Sequence, residues 1–128
     1  MRNIKDQVYA KLCAAFDVDH VTDQYPTDWT NLPAIQYTEE ENRVAERTNT
    51  GETKSYVRYR IDIWDSRSTS ESALAVDAAL GIPIDEDTSF GLSRTSCSDI
   101  SDPTSGLKHK QMRYEAIIDM ENNMIYWN

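Results

Sequence analysis

The sequence predicts an α+β fold: a mainly antiparallel sheet with two helices packed on one face and a long protruding hairpin. Three observations carry this expectation. Residues 55–64 alternate strictly, with Val57, Tyr59, Ile61 and Ile63 on one side and Tyr56, Arg58, Arg60, Asp62 and Trp64 on the other. Residues 107–120 alternate too, setting Lys110, Met112, Tyr114, Ala116 and Ile118 against His109, Gln111, Arg113, Glu115, Ile117 and Asp119. A period of two means strands with one face in a core and one face polar. Two helical patterns stand apart from these strands, and segregated helices beside antiparallel strands define the α+β class. The 128 residues make a single domain, 1–128. A chain of this size buries about two-thirds of its unfolded surface and needs no disulfide or metal staple.

The elements follow in order. The first helix spans residues 3–16. Ile4, Val8, Leu12, Ala15 and Phe16 share one stripe, while Asp6, Gln7 and Ala14 face away. Asn3 and Asp6 form a weak variant of the capping box. Residues 18–22 are extended. Residues 25–33 read as a loop, because Pro26 and Pro33 turn Tyr25 and Leu32 away from helical dihedrals. Trp29 and Leu32 are expected to fold back as apolar anchors. Residues 34–64 form the hairpin, with a turn cluster at 48–53. Its distal end is polar on both faces, so residues 38–54 are expected to form a flexible arm with little core of its own.

Ser68 and Glu71 stand at capping-box spacing before the second helix. That helix runs to Leu80, and Gly81 and Pro83 supply its stop signal. Only Asp77 interrupts its apolar girth, so it should be buried on more than one side, by the sheet and by a neighbouring helix or a second subunit. Residues 84–88 read as an acidic loop, 90–98 as a strand and 98–106 as a turn-rich loop. Glu121-Asn122-Asn123 is a hairpin turn leading to a short edge strand at 124–127.

Charge and motif content narrow the function. Thirteen Lys and Arg against twenty-two Asp and Glu leave a net charge of −9, a poor footprint for gripping a nucleic-acid backbone. No run approaches eighteen apolar residues, so no membrane-spanning helix and no membrane partner are expected. Asp6 and Lys11 interrupt the first apolar stretch, which therefore does not read as a secretory signal. Cys13 and Cys97 are too few for a disulfide framework and are expected as buried thiols in a reducing cytoplasm.

No catalytic motif is present. His20 and His109 lack a nucleophile elbow or a flanked cysteine to serve, although Cys97 and His109 are potential neighbours across a hairpin. Asp17, Asp19, His20 and Asp23 cluster in sequence, as do Asp85, Glu86 and Asp87, but neither set matches a metal-binding pattern. Four scattered glycines cannot build a phosphate loop. No cofactor, metal or catalytic residue is assigned.

The hairpin carries the candidate subunit-interface residues: Glu40, Glu41, Arg43, Arg47, Tyr56, Arg58, Arg60 and Trp64. Ion pairs across an interface set register and partner choice, and Tyr and Trp are the anchors such a contact needs.

Three segments then show a resemblance: YPTDWTNLPAIQY at 25–37, VRYRIDIWDSRS at 57–68 and GLKHKQMRYEAIID at 106–119. With their order and the chain length, they resemble the tail-completion and tail-terminator proteins of long-tailed bacteriophages. The resemblance implies a structural virion protein, not an enzyme, at the head-proximal end of the tail after assembly in the host cytoplasm. It implies a ring, usually a hexamer, that caps the tail tube, stops its polymerisation and docks the head connector. Its partners would be its own copies, the tail tube protein and the head-tail connector or stopper protein. DNA would pass through without specific binding, and Asp85, Glu86 and Asp87 are the candidates for the lumen. The arm at 38–54 would order on assembly. Two alternatives stay open: a head-side stopper or adaptor, and an acidic binding module such as a DNA mimic or an immunity protein.

Overall fold

Strand order decides which of these patterns meet. The computed structural model describes residues 4–27, 29–48, 51–81, 91–100, 106–119 and 125–126. In chain order the elements are helix α1 (Lys5–Phe16), strands β1 (Val21–Thr22), β2 (Ala34–Thr48) and β3 (Gly51–Asp65), helix α2 (Ser70–Leu80), and strands β4 (Ser93–Ile100), β5 (Lys108–Asp119) and β6 (Ile125–Tyr126). They form an α+β fold around one six-stranded sheet ordered β1-β2-β3-β5-β4, with β6 also on β5. All pairings are antiparallel except β1 with β2.

The two strongly alternating segments became the two central strands. β3 pairs with β5 from Lys54–Asp119 to Asp65–Lys108 without a break. Their apolar sides meet both helices in one core: Val57, Tyr59, Ile61, Ile63, Met112, Tyr114, Ala116 and Ile118 pack with Ile4, Val8, Leu12, Val76 and Leu80. Both helices therefore cover the same face. Two tyrosines are fully buried in this core because each hydroxyl has a carboxylate to bind. Tyr59 Oη donates to Glu39 Oε1 at 3.0 Å, and Tyr114 Oη donates to Asp77 Oδ1 at 2.7 Å. Burial first, then the adjacent carboxylate, pushes both phenols well above their ordinary range. Asp77, the one interruption in the second helix's apolar pattern, is thus the anchor that ties α2 to β5.

Several expectations need correction. α2 starts at Ser70, and its N-cap, Thr69, makes no side-chain cap; Ser68 Oγ instead accepts from the Ser70 N–H at 3.3 Å. The capping box with Glu71 does not form, because the hydroxyl is taken up by a turn two residues long. Gly81 ends α2 in extended backbone, φ −69°. Glycine is needed there for space, since a Cβ would sit 2.5 Å from the Asp77 carbonyl oxygen. Ala15 is exposed, outside the buried stripe of α1. Of residues 18–22 only 21–22 are strand; Val18–His20 is a 3-10 turn. β4 begins three residues later than expected.

α2 is covered by the sheet and by α1, as expected, while Leu74 stays 71% exposed. The thiols are not both buried, since Cys13 is half-buried and Cys97 is exposed on β4. Cys97 lies opposite Met112, and His109 opposite Ile100, so that pair does not meet. His20 turns to the Pro33 carbonyl at 2.9 Å, and Asp23 pairs with Lys5 at 3.2 Å, which disperses the acidic cluster at 17–23. The hairpin is as long as expected, fifteen residues per strand. Its base belongs to the sheet, however, because β5 flanks β3 as far as Lys54.

Candidate functional site on the open face of the sheet

The face of the sheet turned away from the helices is built in cross-strand rows. Register places Arg43 beside Tyr56 and Ile117, Glu41 beside Arg58 and Glu115, Thr38 beside Arg60 and Arg113, Gln36 beside Asp62 and Gln111, and Ala34 beside Trp64 and His109. Arg60 and Arg113 lie directly opposite one another, an arrangement of like charges that would destabilise the pairing. A bulge in β2 resolves it. Glu39 faces Tyr59 and Glu41 faces Arg58, so Glu40 is the extra residue between them. A bulge re-aims a side chain, and here it delivers Glu40 among three guanidiniums. Its carboxylate lies 2.9 Å from Arg113 Nε, 3.3 Å from Arg58 Nε and 3.4 Å from Arg60 Nη1.

Glu40 is the centre of this network, with its side chain 16% exposed. Burial pushes its carboxyl up, but the hydrogen bond from Arg113 and the charges of Arg113, Arg60 and Arg58 outweigh that and hold it below the usual carboxylate range. The network extends in both directions. Glu41 pairs with Arg43 at 2.7 Å and Arg58 at 3.5 Å. The Arg43 guanidinium lies over the Tyr56 ring, 4.3 Å from its centroid. Burial and a hydrogen bond to Glu115 push the Tyr56 hydroxyl up to about 12.

At the opposite end Asp62 is buried and fully engaged. It accepts from Arg60 Nε at 2.9 Å, Gln111 Nε2 at 3.1 Å and His109 Nε2 at 2.8 Å. A carboxylate only accepts, so His109 carries its proton on Nε2. His109 stacks on Trp64 with ring centroids 4.4 Å apart. Tyr25 and Trp29 from the proline-flanked loop meet Trp64 and each other edge-on at 5.5–5.6 Å.

Most of the nominated interface residues are therefore brought together. Glu40, Glu41, Arg43, Tyr56, Arg58 and Arg60 form one connected surface. The Arg47 side chain and Asp85, Glu86 and Asp87 lie outside the described residues. Trp64 is corrected: it is 4% exposed, sealed by His109, Tyr25 and Trp29, and is no free anchor. The exposed ring at that end is Tyr25, at 63%. Trp29 does fold back, as expected. Arg113, Gln111, His109 and Glu115 complete the surface and were not nominated. Their alternation placed them on a polar side, but only the β3-β5 pairing shows that it is the same side as the hairpin arginines.

Over these rows the face carries four arginines (Arg43, Arg58, Arg60, Arg113) and four carboxylates (Glu40, Glu41, Asp62, Glu115), with no lysine. The chain has a net charge of −9, yet this surface balances. Planar guanidiniums shared among carboxylates are ordered donors, and interfaces are enriched in Arg and depleted in Lys. Such a surface suits contact with another protein.

The family described as tail completion protein gp17 matches residues 6–119. Among solved structures, a chain of the virion of a native gene transfer agent particle superposes with a TM-score of 0.56 at 16% identity. The match covers 88% of this chain and 91% of that one, a likeness of fold. No curated protein matches the chain.

Proposed function

Because the chain belongs to the tail completion protein gp17 family, a family of structural phage tail proteins and not of enzymes, we propose that it caps the tail tube as a ring. The ring, a hexamer, sits on the last ring of tube subunits, ends tube growth and offers its far side to the head connector. The observation that carries this is the family match over 6–119. The balanced Arg-carboxylate face supports it, since a ring-forming subunit needs a surface that selects register more than it adds affinity. The same face weighs against a DNA mimic, which needs carboxylates unopposed along one exposed side.

Contacts in such a ring are heterologous and close by rotation. The run Asp85-Glu86-Asp87 remains the proposed lumen lining, repelling DNA at short range. Reversing those three charges should slow DNA ejection while tails still assemble.

The test is tube growth. Purified tail tube protein is allowed to polymerise with and without this protein, and tube length is followed by electron microscopy. Capping predicts that length stops increasing at substoichiometric protein and that end-on rings appear. Tubes that keep elongating at saturating protein would overturn the proposal.

A further inference from the structure

Two strands border the sheet with open outer edges among the described residues. β1 covers β2 only at Ile35 and Gln36, so the outer edge of β2 is open from Tyr37 onward. β4 pairs with β5 on one side alone. Four of its residues, Cys97 to Ile100, are exposed in succession; it contains no lysine or proline, although Arg94, Asp99 and a bulge partly blunt it.

The two edges match in direction. β2 is antiparallel to β3, β3 to β5 and β5 to β4, so β2 and β4 run in opposite senses at the two borders. Setting a second copy beside the first with the sheet continued brings β4 of one against β2 of the next in antiparallel orientation. No copy needs to be turned over.

They also match in bulges. Thr38 to Glu41 takes three steps along β2 while its partners Arg60 to Arg58 take two. Ser93 to Ser96 takes three steps along β4 while its partners Glu115 to Arg113 take two. Arg58 faces Glu115, Tyr59 faces Tyr114 and Arg60 faces Arg113, so the two extra residues fall in neighbouring steps on either side of the Tyr59–Tyr114 row, Glu40 toward Arg58 and Thr95 toward Arg113. Each edge therefore holds four residues where the inner strands hold three, so the two edges agree in length over this interval. Thr38 then faces Ser96 and Glu41 faces Ser93, beginning where β1 stops.

Side-chain chemistry agrees. Thr38 Oγ1 and Ser96 Oγ have no hydrogen-bond partner among the described residues and are covered by this chain's own atoms, so each would have to turn about χ1 to reach a second copy. They lie at the two ends of one row, Thr38-Arg60-Arg113-Ser96, on the open face. Thr and Ser placed directly across an antiparallel pair hydrogen-bond to each other.

We infer that β4 of one copy adds to the outer edge of β2 in the next, with Ser93–Cys97 lying alongside Tyr37–Glu41, so that bulged edge meets bulged edge. The partner is a second copy of this chain. Such a joint is head-to-tail, and rotation at each step closes it into a ring. The open faces of successive copies become one continuous Arg-carboxylate surface. This inference rests on the ring proposed above and names its joint.

The experiment joins mass to covalent capture. Thr38→Cys and Ser96→Cys are combined with Cys97→Ser, and each single cysteine variant serves as control. Directly opposed residues hold their Cβ atoms about 4.5–5.5 Å apart, near the range a disulfide spans. Mass is measured by light scattering, alone and with tail tubes, before and after mild oxidation. The expected result is a ring that resolves under denaturing conditions into a covalent ladder from dimer up to the ring number, absent from the single variants. Deleting Thr95 makes β4 regular. It should keep the circular dichroism of the wild type yet weaken assembly at least ten-fold. A ring without a ladder, together with full assembly after Thr95 deletion, would overturn the joint and leave the ring standing. A monomer under every condition would overturn the ring, and the joint with it.

Discussion

The two faces of the sheet are made by alternate residues of the same strands, yet they work differently. On the helix side, Val57, Tyr59, Ile61 and Ile63 are all fully buried; removal of apolar surface from water drives folding there. On the other side, Arg58 and Arg60 keep about a third of their side-chain surface and share the Glu40 carboxylate. Partly exposed ion pairs add little to stability, although a hub serving three arginines exceeds an isolated pair. One face makes the chain fold, and the other is free to specify what the folded chain meets. The comparison also shows why the bulge at Glu40 sits in an edge strand: an extra residue in β3 or β5 would shift the core pattern to the wrong face.

The comparison breaks first, if at all, on the core side. Ile61→Ala should lower unfolding free energy by about 2–5 kcal/mol, read from urea denaturation. A loss no larger than that of any open-face substitution would mean that the division of labour is wrong.

Next in size is Glu40→Gln. Removing the shared charge leaves three arginines facing one another and should cost about 1–3 kcal/mol. The pH dependence sharpens it. The folded state holds Glu40 below its ordinary range, so its contribution is complete above the unfolded carboxyl pKa, about 4.3. It is lost as pH falls through the lower folded value. Wild type should therefore lose stability on acidification below about pH 5 more steeply than Glu40→Gln. Parallel acid limbs would remove Glu40 from the hub role.

Tyr114→Phe, on the helix side, tests a polar bond within the dry layer. The ring stays and the 2.7 Å bond to Asp77 goes. Because Asp77 keeps Arg94 at 3.6 Å, the expected cost is about 1–2 kcal/mol.

The smallest effect on folding, and the largest expected effect on assembly, comes from the open face. Arg43→Ala removes an exposed ion pair and a cation-π contact, worth about 0.5–1 kcal/mol. Combined with Arg58→Ala, which leaves Glu40 its Arg60 and Arg113 partners, it should leave a folded protein that no longer forms the proposed ring. Replacing residues 45–54 by Asn-Gly, which keeps Val44 paired with Ser55 and supplies a two-residue turn, tests the hairpin tip by itself. Because the inferred joint lies at 37–41 and 93–97, that variant should still complete tails, and failure to do so would show that the tip makes a contact of its own.

Period-two alternation by itself determined that β3 and β5 are strands and which of their residues are core, because adjacent side chains of a strand must face opposite ways. Apolar periodicity determined the two helices, and the polar face could be nominated in part, since Arg58 and Arg60 had to oppose Tyr59 and Ile61. Cap details at Ser68 and the ends of β4 were not legible. Short hydroxyl side chains serve turns and caps equally well, and a weakly apolar edge strand carries little periodic signal. Only the tertiary structure decided that β5 lies beside β3, so that Arg113 and Glu115 join the hairpin residues, that Trp64 is sealed beneath His109 and a distant loop, and that Glu40 is the bulged residue. These depend on strand order and on register between segments far apart in sequence. Pairing energy and loop closure settle them, and no local pattern encodes either.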